Sequence, residues 1–158
     1  MSESSQRKLV YRFESGKAEG RAEWRALLGG KGANLAEMAN MGIPVPPGFT
    51  ISTEACVHFL RSGELSRALL EEVQKSVSWL EQVTQKGFKN PDAPLLLSVR
   101  SGAQRSMPGM MDTILDLGLN QETLEGLARS SGSERFALDA PQTLFAGGGL
   151  LDVVAFLP

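Results

Sequence analysis

Leu95-Leu-Leu-Ser-Val-Arg100 runs directly into Ser101-Gly-Ala-Gln-Arg-Ser-Met-Pro-Gly-Met-Met-Asp-Thr-Ile-Leu115. The apolar run from Leu95 to Val99 carries no charge and predicts a short buried strand. Arg100 ends it, and a loop rich in Gly, Ser and Pro follows. An arginine at the mouth of a buried strand is costly unless it faces an anion or a carboxylate. The loop offers small residues, hydroxyls and backbone N–H groups, which suit a polyphosphate. The same residues also fit an ordinary strand end whose Arg100 pairs with a local acid such as Asp112. Beyond the loop, Ile114-Leu115-Asp116-Leu117 alternates like a second strand.

Composition narrows the class. The 158 residues are 42% hydrophobic and 22% charged, enough for one modest core in about one domain. A net charge of −2 implies no general affinity for nucleic acid or an anionic membrane. One cysteine, Cys56, excludes a disulfide within the chain and fits a reducing compartment. No apolar run is long enough to span a bilayer, and Met1 to Lys8 lacks the apolar core of a secretion signal, so cytoplasm is the default.

Residues 1–7 are polar and expected to be disordered. Leu9-Val-Tyr-Arg-Phe13 puts Leu9, Tyr11 and Phe13 at period two and predicts a first strand, with a turn at Glu14-Ser-Gly-Lys17. A short helical segment is expected over Ala22 to Leu28, with Trp24 in the packing. Gly29-Gly30-Lys31-Gly32 then opens a helix expected over Ala33 to Asn40, with Leu35, Ala36 and Ala39 on one face. Glycines let the backbone approach a ligand closely, and a helix N-terminus carries partial positive charge, to which Lys31 adds a full one. The spacing is not that of a Walker A loop. On their own, these four residues also fit a flexible turn with a solvated lysine.

Gly42 stops this helix, and Ile43-Pro-Val-Pro-Pro-Gly48 forces an extended connector into a strand at Phe49 to Ile51. Ser52 or Thr53 caps a helix to about Leu60. It contains the single histidine, His58, expected to be a surface or half-buried helix residue without chemistry. Ser62-Gly63 breaks it. Glu64 to Lys86 predicts a longer amphipathic helix with Leu65, Leu69, Val73, Val77, Leu80 and Val83 along its apolar stripe. A loop over Gly87 to Pro94 leads into the central strand. Asn120 is expected to cap a last helix from Gln121 to Arg129.

Two runs carry a family resemblance. Ser98-Val-Arg-Ser-Gly-Ala103 with Ser106-Met-Pro-Gly-Met-Met-Asp-Thr-Ile-Leu-Asp-Leu-Gly-Leu-Asn120 is one, and Gly29-Gly-Lys-Gly-Ala-Asn-Leu-Ala-Glu-Met38 with Gly42-Ile-Pro-Val-Pro-Pro-Gly-Phe-Thr50 is the other. Together they resemble the N-terminal nucleotide-binding domain of the pyruvate, phosphate dikinase family. The resemblance covers residues 8–139. It implies an α+β fold: an incomplete ATP-grasp domain with a small sheet flanked by helices. It further implies that Lys31 and Arg100 contact ATP phosphates, with Gly30, Gly32, Ser101, Gly102, Ser106 and Gly109 lining them and Asp112 in support.

The family enzyme interconverts ATP, phosphate and pyruvate with AMP, diphosphate and phosphoenolpyruvate through a phosphohistidine, with Mg²⁺, as a homodimer. By this resemblance the catalytic histidine and the metal ligands have no counterpart in the chain, so the chain alone is expected to be inactive and to bind ATP or AMP weakly at best. Residues 140–158, with Gly147-Gly-Gly149 and an apolar tail, depart from the family pattern and suggest a truncated or mis-assembled coding sequence or an alternative terminus. Two alternatives stand beside this reading. One is a fragment of the related pyruvate, water dikinase, against which the Ser106 to Thr113 pattern argues. The other is a non-catalytic interaction module, in keeping with the apolar tail.

Overall fold

A computed structural model of the chain describes residues 7–100, 113–117 and 120–131. Its backbone order is β1 (Val10–Glu14), β2 (Lys17–Ala18), a 3₁₀ turn (Ala22–Trp24), α1 (Arg25–Asn40), β3 (Gly48–Ile51), α2 (Thr53–Ser62), α3 (Arg67–Thr84), β4 (Leu97–Arg100), β5 (Thr113–Leu117) and α4 (Gln121–Ser131). The class is α+β with two small antiparallel sheets, ordered β2-β1-β3 and β4-β5. The expected strands at Phe49 to Ile51 and around Leu97 and Ile114 all form.

The central strand β1 shows why simple alternation misjudged its faces. Val10 and Phe13 are both buried, although they have opposite parity. Helices cover both sides of the strand, so both parities find a core. Phe13 packs with Ala39 and Val45 on the α1 side, and Tyr11, of the same parity, meets the edge of Trp24 at 5.9 Å. Val10 packs with Phe49, Ile51, Leu69, Leu80, Leu95 and Leu97 on the α3 side. Leu9, expected on the face of Tyr11 and Phe13, instead packs against this second cluster. Register agrees: Val10 opposes Ile51, Arg12 opposes Phe49, and Tyr11 opposes Thr50.

Capping fixes the helix ends. Ser52 Oγ accepts from the Ala55 amide, and α2 stops at Gly63 with φ 73°. Gly42, at φ 78°, closes α1, with its amide on the Ala39 carbonyl and the Ile43 amide on the Met38 carbonyl. Ser66 caps α3 through the Leu69 amide at 3.2 Å. The cap leaves Leu65 outside the helix, and its side chain is 52% exposed rather than part of the apolar stripe. Val83, on the last turn, is exposed too, whereas Leu69 and Leu80 are buried and Val73 and Val77 half-buried. Asn120 caps α4 as expected: its Oδ1 accepts from the Thr123 amide at 2.9 Å, and its own amide donates to Thr123 Oγ1 at 2.7 Å. α4 sits so close to the 87–94 loop that a Cβ at Gly126 would collide with the Pro91 carbonyl.

Glu72 ties α3 to the sheet. Its Oε2 accepts from the amides of Leu9 and Val10 at 2.9 and 2.8 Å. Removing such an acceptor leaves two part-buried N–H groups without it and costs about 1–3 kcal/mol. Glu72→Ala is therefore expected to lower unfolding free energy by that amount in urea melts, and Glu72→Gln, which keeps an acceptor, by less. Tyr11 gives a second check. Burial, then the Glu54, Glu72 and Glu19 carboxylates, push its phenol above 10.0. An acid raised on folding stabilises below its unfolded pKa and loses that contribution as pH rises through the folded one. Tyr11 is the only tyrosine, so phenolate absorbance reports it alone: its midpoint is expected above 10.0 in the folded chain and near 10.0 in denaturant.

Candidate functional site

The segment from Gly29 to Lys31 is built differently from the sequence expectation. A separate helix ending at Leu28 and another opening at Ala33 were expected. Instead helical residues run from Arg25 to Asn40 with a single break at Gly29, at φ 68° and ψ 171°. That conformation is open essentially to glycine alone. The helix restarts immediately, so Gly30, Lys31 and Gly32 occupy its first turn. First-turn amides are the ones a helix leaves without intrahelical acceptors, and they carry its partial positive charge.

Gly30 and Lys31 are half-buried, and Gly29 and Gly32 are buried. The buried stripe of this helix consists of Gly32, Ala33, Ala36 and Ala39, all small, which brings the helix backbone down onto the sheet. Leu35, expected to share that face, is half-buried at its edge. A Cβ at Gly32 would lie 2.6 Å from Thr50 Cγ2 and 3.0 Å from Thr50 Oγ1. Packing alone therefore accounts for the missing side chain at Gly32. Thr53 Oγ1 donates to the Ala26 carbonyl at 2.6 Å and ties the turn before the break to the start of α2. The helix start at Gly30 is thus held between β3 and α2. The signal for the break was present as two adjacent glycines, and the structure places it at the first of them.

Arg100 is the last residue of β4, exposed, opposite Thr113 of β5. Leu97, Ser98 and Val99 before it are buried, so the strand anchors the arginine at the edge of the core. Lys31 and Arg100 come from separate elements: α1 packs on β1 and β3, and β4 pairs with β5. Ser101, Gly102, Ser106, Gly109 and Asp112 lie outside the described residues, so the pairing of Arg100 with Asp112 does too. His58 is exposed on α2. Among the described residues, no group of three or more His, Cys, Asp or Glu stands together to hold a metal ion. Magnesium prefers carboxylate and phosphate oxygens, so the described residues do not form a cage for it. No described helix is long and apolar enough to cross a membrane.

The first turn of Gly32 generates a sharp test. Glycine to alanine inside a helix ordinarily gains about 1 kcal/mol, whereas forcing a methyl into a filled space costs about 1–3 kcal/mol. Gly32→Ala is therefore expected to destabilise. Paired with Thr50→Ala, it is expected to show a favourable coupling of about 1–2 kcal/mol in a double-mutant cycle. Strict additivity would show that Thr50 is not what keeps position 32 a glycine.

Comparison with known proteins bears on this arrangement. A family model described as the AMP/ATP-binding domain of pyruvate phosphate dikinase matches residues 25–89, which contain the Gly29 break and Lys31. The pyruvate, phosphate dikinase of Clostridium symbiosum is 51% identical over 134 residues, covering 84% of this chain and 15% of that protein. That of Rhizobium meliloti (strain 1021) is 53% identical over 134 residues, with the same coverage. The chloroplastic pyruvate, phosphate dikinase 1 of Oryza sativa subsp. japonica is 54% identical over 135 residues, covering 85% of this chain and 14% of that protein. The chain thus spans about one-seventh of the length of these relatives. Identity above half, maintained over most of the chain and including its glycine-broken helix, means that the chain belongs to the pyruvate phosphate dikinase family through its AMP/ATP-binding domain.

Proposed function

We propose that this chain supplies phosphate-binding elements of an ATP site, in the manner of an incomplete ATP-grasp domain. Lys31 and the amides of the first helical turn meet the phosphates from one side. Arg100, with Ser101, Gly102, Ser106 and Gly109, meets them from the other, and Asp112 supports Arg100. The observation that carries this proposal is the break at Gly29: it creates a new helix start inside α1 and sets Lys31 in that first turn. A fresh helix start with a lysine on it is suited to an anion. The two cations sit on rigid elements, a helix packed on the sheet and the end of a buried strand, which fixes them before the nucleotide arrives.

In a whole dikinase the reaction would interconvert ATP, phosphate and pyruvate with AMP, diphosphate and phosphoenolpyruvate through a phosphohistidine. Transfer of a phosphoryl group depends on charge neutralisation and alignment more than on covalent protein chemistry. Lys31 and Arg100 serve both needs by holding phosphate oxygens. Magnesium, when bound with the nucleotide, adds positive charge at those oxygens. Holding and aligning phosphate oxygens, rather than acting as acid, base or nucleophile, is the role of both side chains in this reading.

A different class of function, a non-catalytic interaction module, draws support from exposed apolar side chains on α2 and after it: Val57, Leu60 and Leu65. The same titration separates the two. Calorimetric titration of the full chain with Mg·ATP is expected to show weak, saturable binding. Each of Lys31→Ala and Arg100→Ala is expected to weaken it by about tenfold or more, the equivalent of one charge-assisted hydrogen bond at about 1.5–3 kcal/mol. Binding unaltered in both variants, or no binding at all, contradicts the proposal and favours the module.

A further inference from the structure

We propose that Arg12, Lys75 and Trp79 form a binding site for a small organic oxyanion, a carboxylate or a phosphate ester, on the face of the sheet opposite α1. Cavities of about 110, 500 and 260 Å³ between β1 and α3 share Arg12 as a lining residue. The guanidinium is fixed twice. Nε donates to Ser76 Oγ at 3.2 Å, and the group lies over the Trp79 ring, 5.4 Å from its centroid. Ser76 is 1% exposed and donates its own proton to the Glu72 carbonyl at 2.8 Å, so its oxygen is committed as the acceptor for Arg12. Among the described residues no carboxylate lies within ion-pair distance of Arg12, and its two terminal nitrogens donate to none of them.

The acids around the groove are engaged elsewhere. Glu72 accepts from the Leu9 and Val10 amides. Glu19 accepts from the Arg12 amide and from Lys8 Nζ, both at 2.6 Å. Glu71 accepts from Arg67 Nε at 2.9 Å. Glu14 remains, at the smallest cavity. Lys75 lines the two larger cavities and, among the described residues, has no acidic partner. Two cations along the groove, Arg12 and Lys75, thus stand without a carboxylate partner among the described residues, while the oxygens of Glu19, Glu71 and Glu72 already accept hydrogen bonds elsewhere. An arginine with Nε tied and its guanidinium held over an aromatic ring presents its two terminal N–H groups partly ordered, at reduced further entropy cost. That pair matches two oxygens of one carboxylate or phosphate. The recess of about 500 Å³ is open to solvent along α3, and Gln74, Ser78 and Gln82 line it with neutral hydrogen-bonding groups suited to a polar body behind the anion.

The chain has two tryptophans, so a Trp24→Phe background leaves Trp79 as the only indole reporter. This full chain is titrated with glycerol 2-phosphate and with succinate, at ionic strength held constant with sodium chloride, while Trp79 fluorescence is followed. A saturable change in the millimolar range with one of the two is expected, and the probe that gives it identifies the head group. Affinity is expected to fall about tenfold in Arg12→Gln and about threefold in Lys75→Ala. Lys31→Ala, which disables the proposed nucleotide site, is expected to leave this response unchanged. No saturable response to either probe, or a response that survives Arg12→Gln, overturns the site. Should Arg12→Gln fail to fold, Lys75→Ala decides: the side chain is exposed, and unaltered affinity there overturns the site as well.

Discussion

The absence of a side chain at Gly32 governs how this domain is put together. With no Cβ there, α1 settles directly onto Thr50 of β3, and the small stripe through Ala33, Ala36 and Ala39 continues that close approach along the helix. The turn that precedes this helix, Arg25 to Leu28, is tied separately to α2 through Thr53. The two segments meet at one residue, Gly29, in a conformation that other residues avoid. The new helix start and the position of Lys31 follow from that single break.

The sheet then distributes two different tasks between its faces. On the α1 side, Phe13 and Tyr11 support the helix that bears Lys31 and the turn that leads into it. On the α3 side, Val10, Phe49 and Ile51 join Leu69, Leu80, Leu95 and Leu97 in the larger apolar cluster, and this cluster also seats the strand that ends at Arg100. The helix that bears Lys31 and the strand that ends at Arg100 thus both draw their support from the three-stranded sheet. Arg12 lies on the α3 side as well, held by Ser76 and Trp79, and belongs to a separate surface.

Much of this was legible in the residues, and the misses have physical causes. The caps at Ser52 and Asn120 and the stops at Gly42 and Gly63 could be read because each is a local hydrogen-bonding or dihedral requirement. The strand faces of β1 could not, because a strand covered on both sides does not show its burial as alternation. Leu65 was misassigned because the cap at Ser66 competes with a hydrophobic spacing that continues past it. The break at Gly29 and the packing role of Gly32 were hidden for a third reason. A glycine's purpose depends on what approaches it, and Thr50 is distant in sequence. For the site, the runs around Lys31 and Arg100 favoured phosphate contacts only through their family resemblance, while the Arg12 groove left no motif, since its residues come from β1 and α3 at no fixed spacing.

The central claim is that the glycine-broken start of the second half of α1 is a phosphate-binding surface. The most direct measurement is a two-dimensional amide NMR titration of the full chain with Mg·ATP, with glycine amides assigned. Saturable shifts at Gly30, Lys31 and Gly32, matched in affinity by a shift at Arg100, are the predicted result. Shifts that saturate elsewhere while these amides stay fixed would contradict it.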